Sequence, residues 1–267
     1  MSLHQHLQEL RRRAFIAIAA IAVGTIVSFI FHETLLHALT HPYCQLPHSY
    51  RLVGDKCSLF VSGVLDAFTV TLKLSLYAGL VISSPVWLFQ VWRFITPGLY
   101  RHERRYALLF VGASMVLFAM GGVFAWLTLE KGLHFLLGFA TGGVTSLLSF
   151  NSYLSFVTAM VLIFAVSFEF PLLVVMLNQV GVVSAARLRH WTRGVLFGIF
   201  VFAAVATPSQ DPFTMTALAV PVCLLYGVAV LIATLHDRRA AGRADTPDFT
   251  DLGDDELSPL DDELARS

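Results

Sequence analysis

Charge is what this sequence lacks most. Only 13% of its 267 residues are charged, against roughly 25% in an ordinary soluble domain. With 56% hydrophobic residues and a mean hydropathy of +0.71, that shortfall excludes a water-soluble globular fold. Neither sign of charge dominates, since 18 basic residues balance 18 acidic ones, and no strongly basic face is available for nucleic acid. Three cysteines, Cys44, Cys57 and Cys223, are too few for a disulfide scaffold or a zinc cluster. The H-E-x-x-H, G-x-S-x-G and G-x-x-x-x-G-K-[ST] patterns are missing, so nothing marks a metalloprotease, a serine hydrolase or a nucleotide-driven motor. No catalytic residue, metal or cofactor is expected, and any work must draw on a gradient or a partner.

What is present is a series of long apolar runs. A helix needs about 20 apolar residues to cross ~30 Å of hydrocarbon. Ala14 to Phe31, Phe68 to Trp92, Ala107 to Leu129 and Tyr153 to Gln179 meet that need, with Lys73 near the start of the second and Glu169 and Pro171 inside the fourth. Gly194 to Thr207 and Phe213 to Leu235 follow, separated by Pro208-Ser209-Gln210-Asp211-Pro212. Six transmembrane helices are predicted. The fifth is short, about 21 Å at 1.5 Å per residue.

Fourteen of the 18 basic residues fall in 1–13, 93–106, 180–193 and the C-terminal tail, all on one side if the chain crosses six times. The positive-inside rule then puts both termini in the cytoplasm. Arg12-Arg13-Ala14-Phe15-Ile16 mimics a secretory signal. The apolar run behind it exceeds the usual 7–15 residues, however, and no A-x-A site follows.

Residues 32–67 read as an outside loop. His37 and His41 are expected to be solvated there rather than to bind metal. Cys44 and Cys57 lie on the oxidising side, where a disulfide between them would stabilise the loop by about 3 kcal/mol. The chain divides into a membrane domain, 1–236, and an acidic tail, 237–267. The tail holds ten acidic residues against four arginines and has the composition of a disordered segment.

Three acids stand out. Glu9 and Glu103 lie among arginines on the inner side, either as local ion pairs or as a binding surface. Glu169 lies deep in the fourth span, where a carboxylate costs about 2.5–3.5 kcal/mol on insertion scales. It must face a polar cavity, meet a partner or be protonated. A proton-coupled secondary transporter relaying through Glu169 is the alternative function, although no repeat relates spans 1–3 to 4–6.

These acids sit in stretches that resemble the TatC family, the signal-peptide receptors of the twin-arginine protein translocase. His6-Leu7-Gln8-Glu9-Leu10-Arg11-Arg12-Arg13 is similar to the family's N-terminal H-L-x-E-L-R-x-R. Ser84-Pro85-Val86, Gln90 through Tyr100 and His102-Glu103-Arg104-Arg105 resemble its second span and first cytoplasmic loop. Tyr153-Leu154-Ser155-Phe156 and Ser167-Phe168-Glu169-Phe170-Pro171 resemble its fourth span, and Thr207-Pro208 with Asp211 its last outside turn. The order and spacing match from about residue 3 to 236. One departure is Glu130-Lys131-Gly132, where the family commonly has a proline, which puts a bend there in doubt. The acidic tail and the two loop cysteines fall outside the core pattern, though similar features occur in actinobacterial members.

The resemblance implies an all-α polytopic fold, a concave six-helix bundle with short last spans, in a bacterial cytoplasmic membrane. It implies that Glu9 and Glu103 recognise the paired arginines of signal peptides on folded substrates. Arg11 and Arg105 would hold those carboxylates, and Phe94 would contact the apolar part of the peptide. Glu169, with Gln90, would meet single-span TatA/TatB-type subunits, and self-association in the complex is implied too.

Overall fold

The computed structural model describes residues 3–44, 63, 65–95, 104–137, 149–209 and 211–244. They form α1 (Leu3–Ile30), α2 (His32–Cys44), α3 (Asp66–Ile82), α4 (Ser84–Ile95), α5 (Arg104–Leu137), α6 (Phe150–Ser167), α7 (Phe170–Gln179), α8 (Ala185–Ala206) and α9 (Pro212–Ala244). An all-helical fold follows from the solvent, because a helix satisfies its own backbone hydrogen bonds where lipid offers none.

Among the described residues, five helical stretches are long and apolar enough to span a bilayer: Leu7–Ile30, Leu108–Leu136, Phe150–Gln179, Ala185–Ala206 and Pro212–Ala241. The run expected as one helix from Phe68 to Trp92 is instead the pair α3 and α4, bent by 56°, which makes a sixth candidate span when the pair is counted as one. Pro85 explains the bend: it has no N–H, and its ring would strike the carbonyl of Val81 in a continuous helix. Ser83 absorbs the break. Its N–H bonds Gly79 O at 2.9 Å, while its carbonyl accepts from Val86 N at 2.9 Å. The Trp87 indole N–H, in turn, reaches back to Leu80 O at 2.9 Å.

Three further expectations change. The first part of the outside loop is helical, because 32–44 forms α2, tied down by the Tyr153 hydroxyl donating to Leu39 O at 2.8 Å. The last two helices are not short: α8 has 22 residues and α9 has 33. Counting apolar residues between charges misses the turns of α8 that carry Arg187, Arg189 and Arg193. α9 also runs on to Ala244, past the expected domain boundary at 236, while residues 245–267 lie outside the described residues. Glu130-Lys131-Gly132 passes through α5 without a break.

The core forms where α5, α6, α7 and α9 meet, around Phe164, Phe168, Met160, Leu129, Leu218 and Tyr226, all nearly inaccessible. α1 is peripheral and crosses α3 backbone to backbone. A Cβ on Gly79 would lie 2.4 Å from Thr25 N, and one on Gly24 would lie 2.7 Å from Gly79 O. Lys73, expected to snorkel, donates to Asn151 Oδ1 at 3.0 Å, near the starts of α3 and α6.

Candidate functional site

The polar residues singled out by the sequence occupy three levels of the bundle. At the arginine-rich end, Glu9 sits within the first turns of α1, which is continuous from Leu3 into the span. It is half-buried and paired with Arg13 one turn later, Nε and Nη2 both donating to Oε1. Arg13, not Arg11, provides this ion pair. Arg11 is exposed and meets no carboxylate among the described residues. Phe94 lies half-buried in the last turn of α4, and Arg93 stacks over Phe89 with its guanidinium carbon 5.7 Å from the ring centroid. Arg105 opens α5, while Glu103 and the rest of 96–103 lie outside the described residues. α1 packs against α3 and α4. Since α4 runs back toward the start of α1, its end at Ile95 and Glu9 share one end of the bundle.

Glu169 sits deeper, about 15 Å along the axis from the arginine-side end of α7 at 1.5 Å per residue. It is 8% exposed and occupies the joint between α6 and α7, where Pro171 prevents a continuous helix. The backbone crosses this joint with short-range bonds, Glu169 N to Val166 O and Leu172 N to Glu169 O, both 3.1 Å. The carboxylate is held from α5 and α4. Ser114 donates to Glu169 Oε2 at 2.8 Å, and the Trp92 indole N–H donates to Ser114 Oγ at 2.7 Å. Among the described residues, the buried Oε1 has no hydrogen-bond partner within the chain. Gln90, expected like Glu169 to be a partner contact, is half-buried on α4 and makes no hydrogen bond among the described residues.

The outer turn joins α8 to α9. Asp211 precedes Pro212, whose fixed φ suits the first helical position, and caps α9 by accepting from Thr214 N at 2.9 Å. The Ser209 and Thr214 hydroxyls also donate to its carboxylate. Burial alone would raise its pKa, but these hydroxyls and the backbone N–H groups of Thr214 and Phe213 hold it below the ordinary aspartate range. Pro208 is exposed beside it. Cys44 ends α2, and Cys57 lies outside the described residues, as does any bond between the two. Cys223 is a free thiol within α9.

Sequence reasoning missed Trp92 and Ser114. Ser114 is one of only two hydroxyls in the uncharged run Ala107 to Leu129, which was the available signal. It also missed Asp237, assigned to the tail. The Asp237 carboxylate accepts from Ala185 N at 2.7 Å and Asn178 Nδ2 at 3.0 Å, pinning the start of α8 to α9. Gly181, at φ 78°, turns the chain at the end of α7 and makes this approach possible.

Fold and polar layout define a polytopic helical membrane protein with a surface carboxylate at its basic end and a buried carboxylate at mid-depth. The sequence matches the family described as "TatC: Sec-independent protein translocase protein (TatC)" over residues 5–221. A TatC protein of Frankia casuarinae is 57% identical over 98% of this chain and 73% of its own length. One of Corynebacterium kroppenstedtii is 40% identical over 97% and 67%. The crystal structure of the twin-arginine translocase receptor TatC in DDM superposes with a TM-score of 0.73 at 32% identity, covering 85% of this chain and 99% of that one. The chain belongs to the TatC family. It is a multi-pass membrane subunit of the bacterial twin-arginine translocase rather than an enzyme, and that assignment displaces the transporter alternative.

Proposed function

We propose that the arginine-rich end faces the cytoplasm and that Glu9 and Glu103 there read the two consecutive arginines of a signal peptide. The observation that carries this reading is the Glu9–Arg13 pair. A half-buried carboxylate already engaged by a guanidinium can exchange that partner for an incoming one at little cost, because a surface pair of this kind is worth only tenths of a kcal/mol. A planar guanidinium fork matches a carboxylate, and an ammonium does not. Glu103 lies in the connection between α4 and α5, which begins at the same end of the bundle as Glu9. Phe94, in the last turn of α4, offers an apolar contact at that end of the bundle. The concentration of arginines at this end supports the orientation.

Glu169 serves a separate step, meeting a polar group on a single-span TatA/TatB-type subunit. Its buried Oε1, unpartnered among the described residues, supports this role, since such an acceptor is costly in lipid until a donor reaches it.

Photo-cross-linking of a twin-arginine peptide to the full chain in membranes tests both roles. Glu9→Ala and Glu103→Ala should abolish the cross-link, and a twin-lysine peptide should give none on the unaltered chain. A cross-link that survives both substitutions refutes the receptor role. Glu169→Ala should leave the cross-link intact and impair assembly with partner subunits. Loss of peptide binding in that variant would sink the division of labour.

A further inference from the structure

The corner where α8 starts and α9 ends is a strongly charged surface that the receptor reading leaves unused. Arg187, Arg189 and Arg193 are exposed on the first turns of α8, with Trp191 among them at 64% exposure. Ala185 and Leu188 are buried, so the charged side chains take the outward arc. Arg189 and Arg193 are one turn apart on one flank, and Arg187 and Trp191 are one turn apart on the other. The Asp237–Ala185 contact brings the exposed Arg238 and Arg239 of α9 to the same level.

Among the described residues that corner has no carboxylate to balance its arginines. Asp237 is occupied by Ala185 N and Asn178 Nδ2, and its nearest basic neighbour is His236 at 3.6 Å. Among the described residues none of the five arginines meets a carboxylate. The uncharged part of α8, 194–206, covers about 20 Å at 1.5 Å per residue, short of the ~30 Å hydrocarbon thickness. A crossing by α8 therefore requires its arginine segment to make up the missing length in the headgroup layer. An exposed tryptophan prefers that same layer.

We propose that the α8–α9 corner is a docking surface for anionic phospholipid headgroups of the leaflet it touches. The guanidinium groups take phosphate oxygens in pairs, and the Trp191 ring lies at the boundary with the acyl chains. Zwitterionic headgroups bring their own cation and leave the arginines uncompensated. The competing occupant is the chain's own segment 245–267, which carries Asp254-Asp255-Glu256 and Asp261-Asp262-Glu263. A soluble acidic segment, however, offers the exposed Trp191 no apolar boundary to enter. The proposal is independent of the signal-peptide reading.

To test it, the full-length protein is reconstituted in phosphatidylcholine bilayers with a minor fraction of phosphatidylglycerol, one lipid at a time carrying bromines on its acyl chains. The signal read is the part of the tryptophan fluorescence that Trp191→Phe removes. Brominated phosphatidylglycerol should quench it at least fivefold more strongly per mole fraction, since each juxtamembrane arginine is worth about fivefold in partitioning to an anionic surface. The preference should vanish in the Arg187→Gln, Arg189→Gln, Arg193→Gln triple variant and weaken at about 1 M salt, where the screening length falls to about 3 Å. Lys131→Gln, at the opposite end of the bundle, should leave it unchanged. Equal quenching by the two lipids overturns the proposal, and so does a preference that the triple variant keeps. A preference that emerges only once the six acids of 254–256 and 261–263 are made amides also overturns it, because the arginines would then be held by the tail.

Discussion

At Glu9 the carboxylate is half-buried on a surface helix turn and paired with an arginine of its own helix, whereas Glu169 is 8% exposed and accepts from the Ser114 hydroxyl of another helix, which in turn accepts from the Trp92 indole of a third. The difference lies in dielectric and in the origin of the partners. A surface pair is cheap to form and to exchange, which suits a group that must accept successive ligands. The buried carboxylate has one oxygen committed to the Ser114 hydroxyl, while Oε1 has no partner among the described residues, a cost that a donor from outside the chain would relieve. On the proposed roles, one end of the molecule exchanges ligands and its middle holds a carboxylate with one oxygen fixed and one open.

Ser114→Ala should break that contrast most severely. It leaves the Trp92 N–H and Glu169 Oε2 without their shared partner and should cost about 2–4 kcal/mol, read as a lowered midpoint of detergent-induced unfolding. Ser114→Thr, which returns a hydroxyl, should recover most of it. Glu9→Ala comes next: a charge-assisted hydrogen bond is worth about 1.5–3 kcal/mol, so twin-arginine peptide affinity should fall about 10- to 100-fold in a titration, with the unfolding midpoint hardly moved.

Asp211→Ala should cost about 1 kcal/mol through loss of the α9 cap. Because the Asp211 pKa is lowered in the folded chain, its contribution is present above the ordinary aspartate value of about 3.9 and is lost as pH falls through the lower folded value. The stability gap between the unaltered chain and Asp211→Asn should therefore be constant near neutral pH and close below about pH 4, in unfolding measured across that range. The smallest effect belongs to Arg13→Ala. Removing a helix ion pair worth about 0.3–0.5 kcal/mol should scarcely change the unfolding midpoint. It should raise twin-arginine peptide affinity about twofold, because an internal competitor of that size is gone. An unchanged affinity would mean that Arg13 is no competitor and would weaken the exchange argument.

Some of this was legible along the chain. The apolar runs located the five spanning helices and the bent pair α3–α4, and Glu169 was marked by being a charge where charge is expensive. The uncharged run of α8 was read correctly as short, but the helix was not, because helical hydrogen bonding continues through interfacial residues that hydropathy counts as polar. Pro85 was visible in the sequence, yet the 56° bend depended on Ser83 accepting two following N–H groups and on Trp87 reaching back to Leu80. The partners of Glu169 were not legible, since Ser114 and Trp92 lie 55 and 77 positions away in the chain and meet it only when α4, α5 and α7 pack.

The amino-acid order alone determined the membrane class and the grouping of the arginines into a few stretches between apolar runs, because hydropathy and charge act residue by residue against the surrounding solvent. Which donors reach Glu169, and that Asp237 caps a helix instead of joining the tail, only the tertiary structure decided. Those are properties of helix faces brought together, and no single stretch of sequence contains both sides of such a contact.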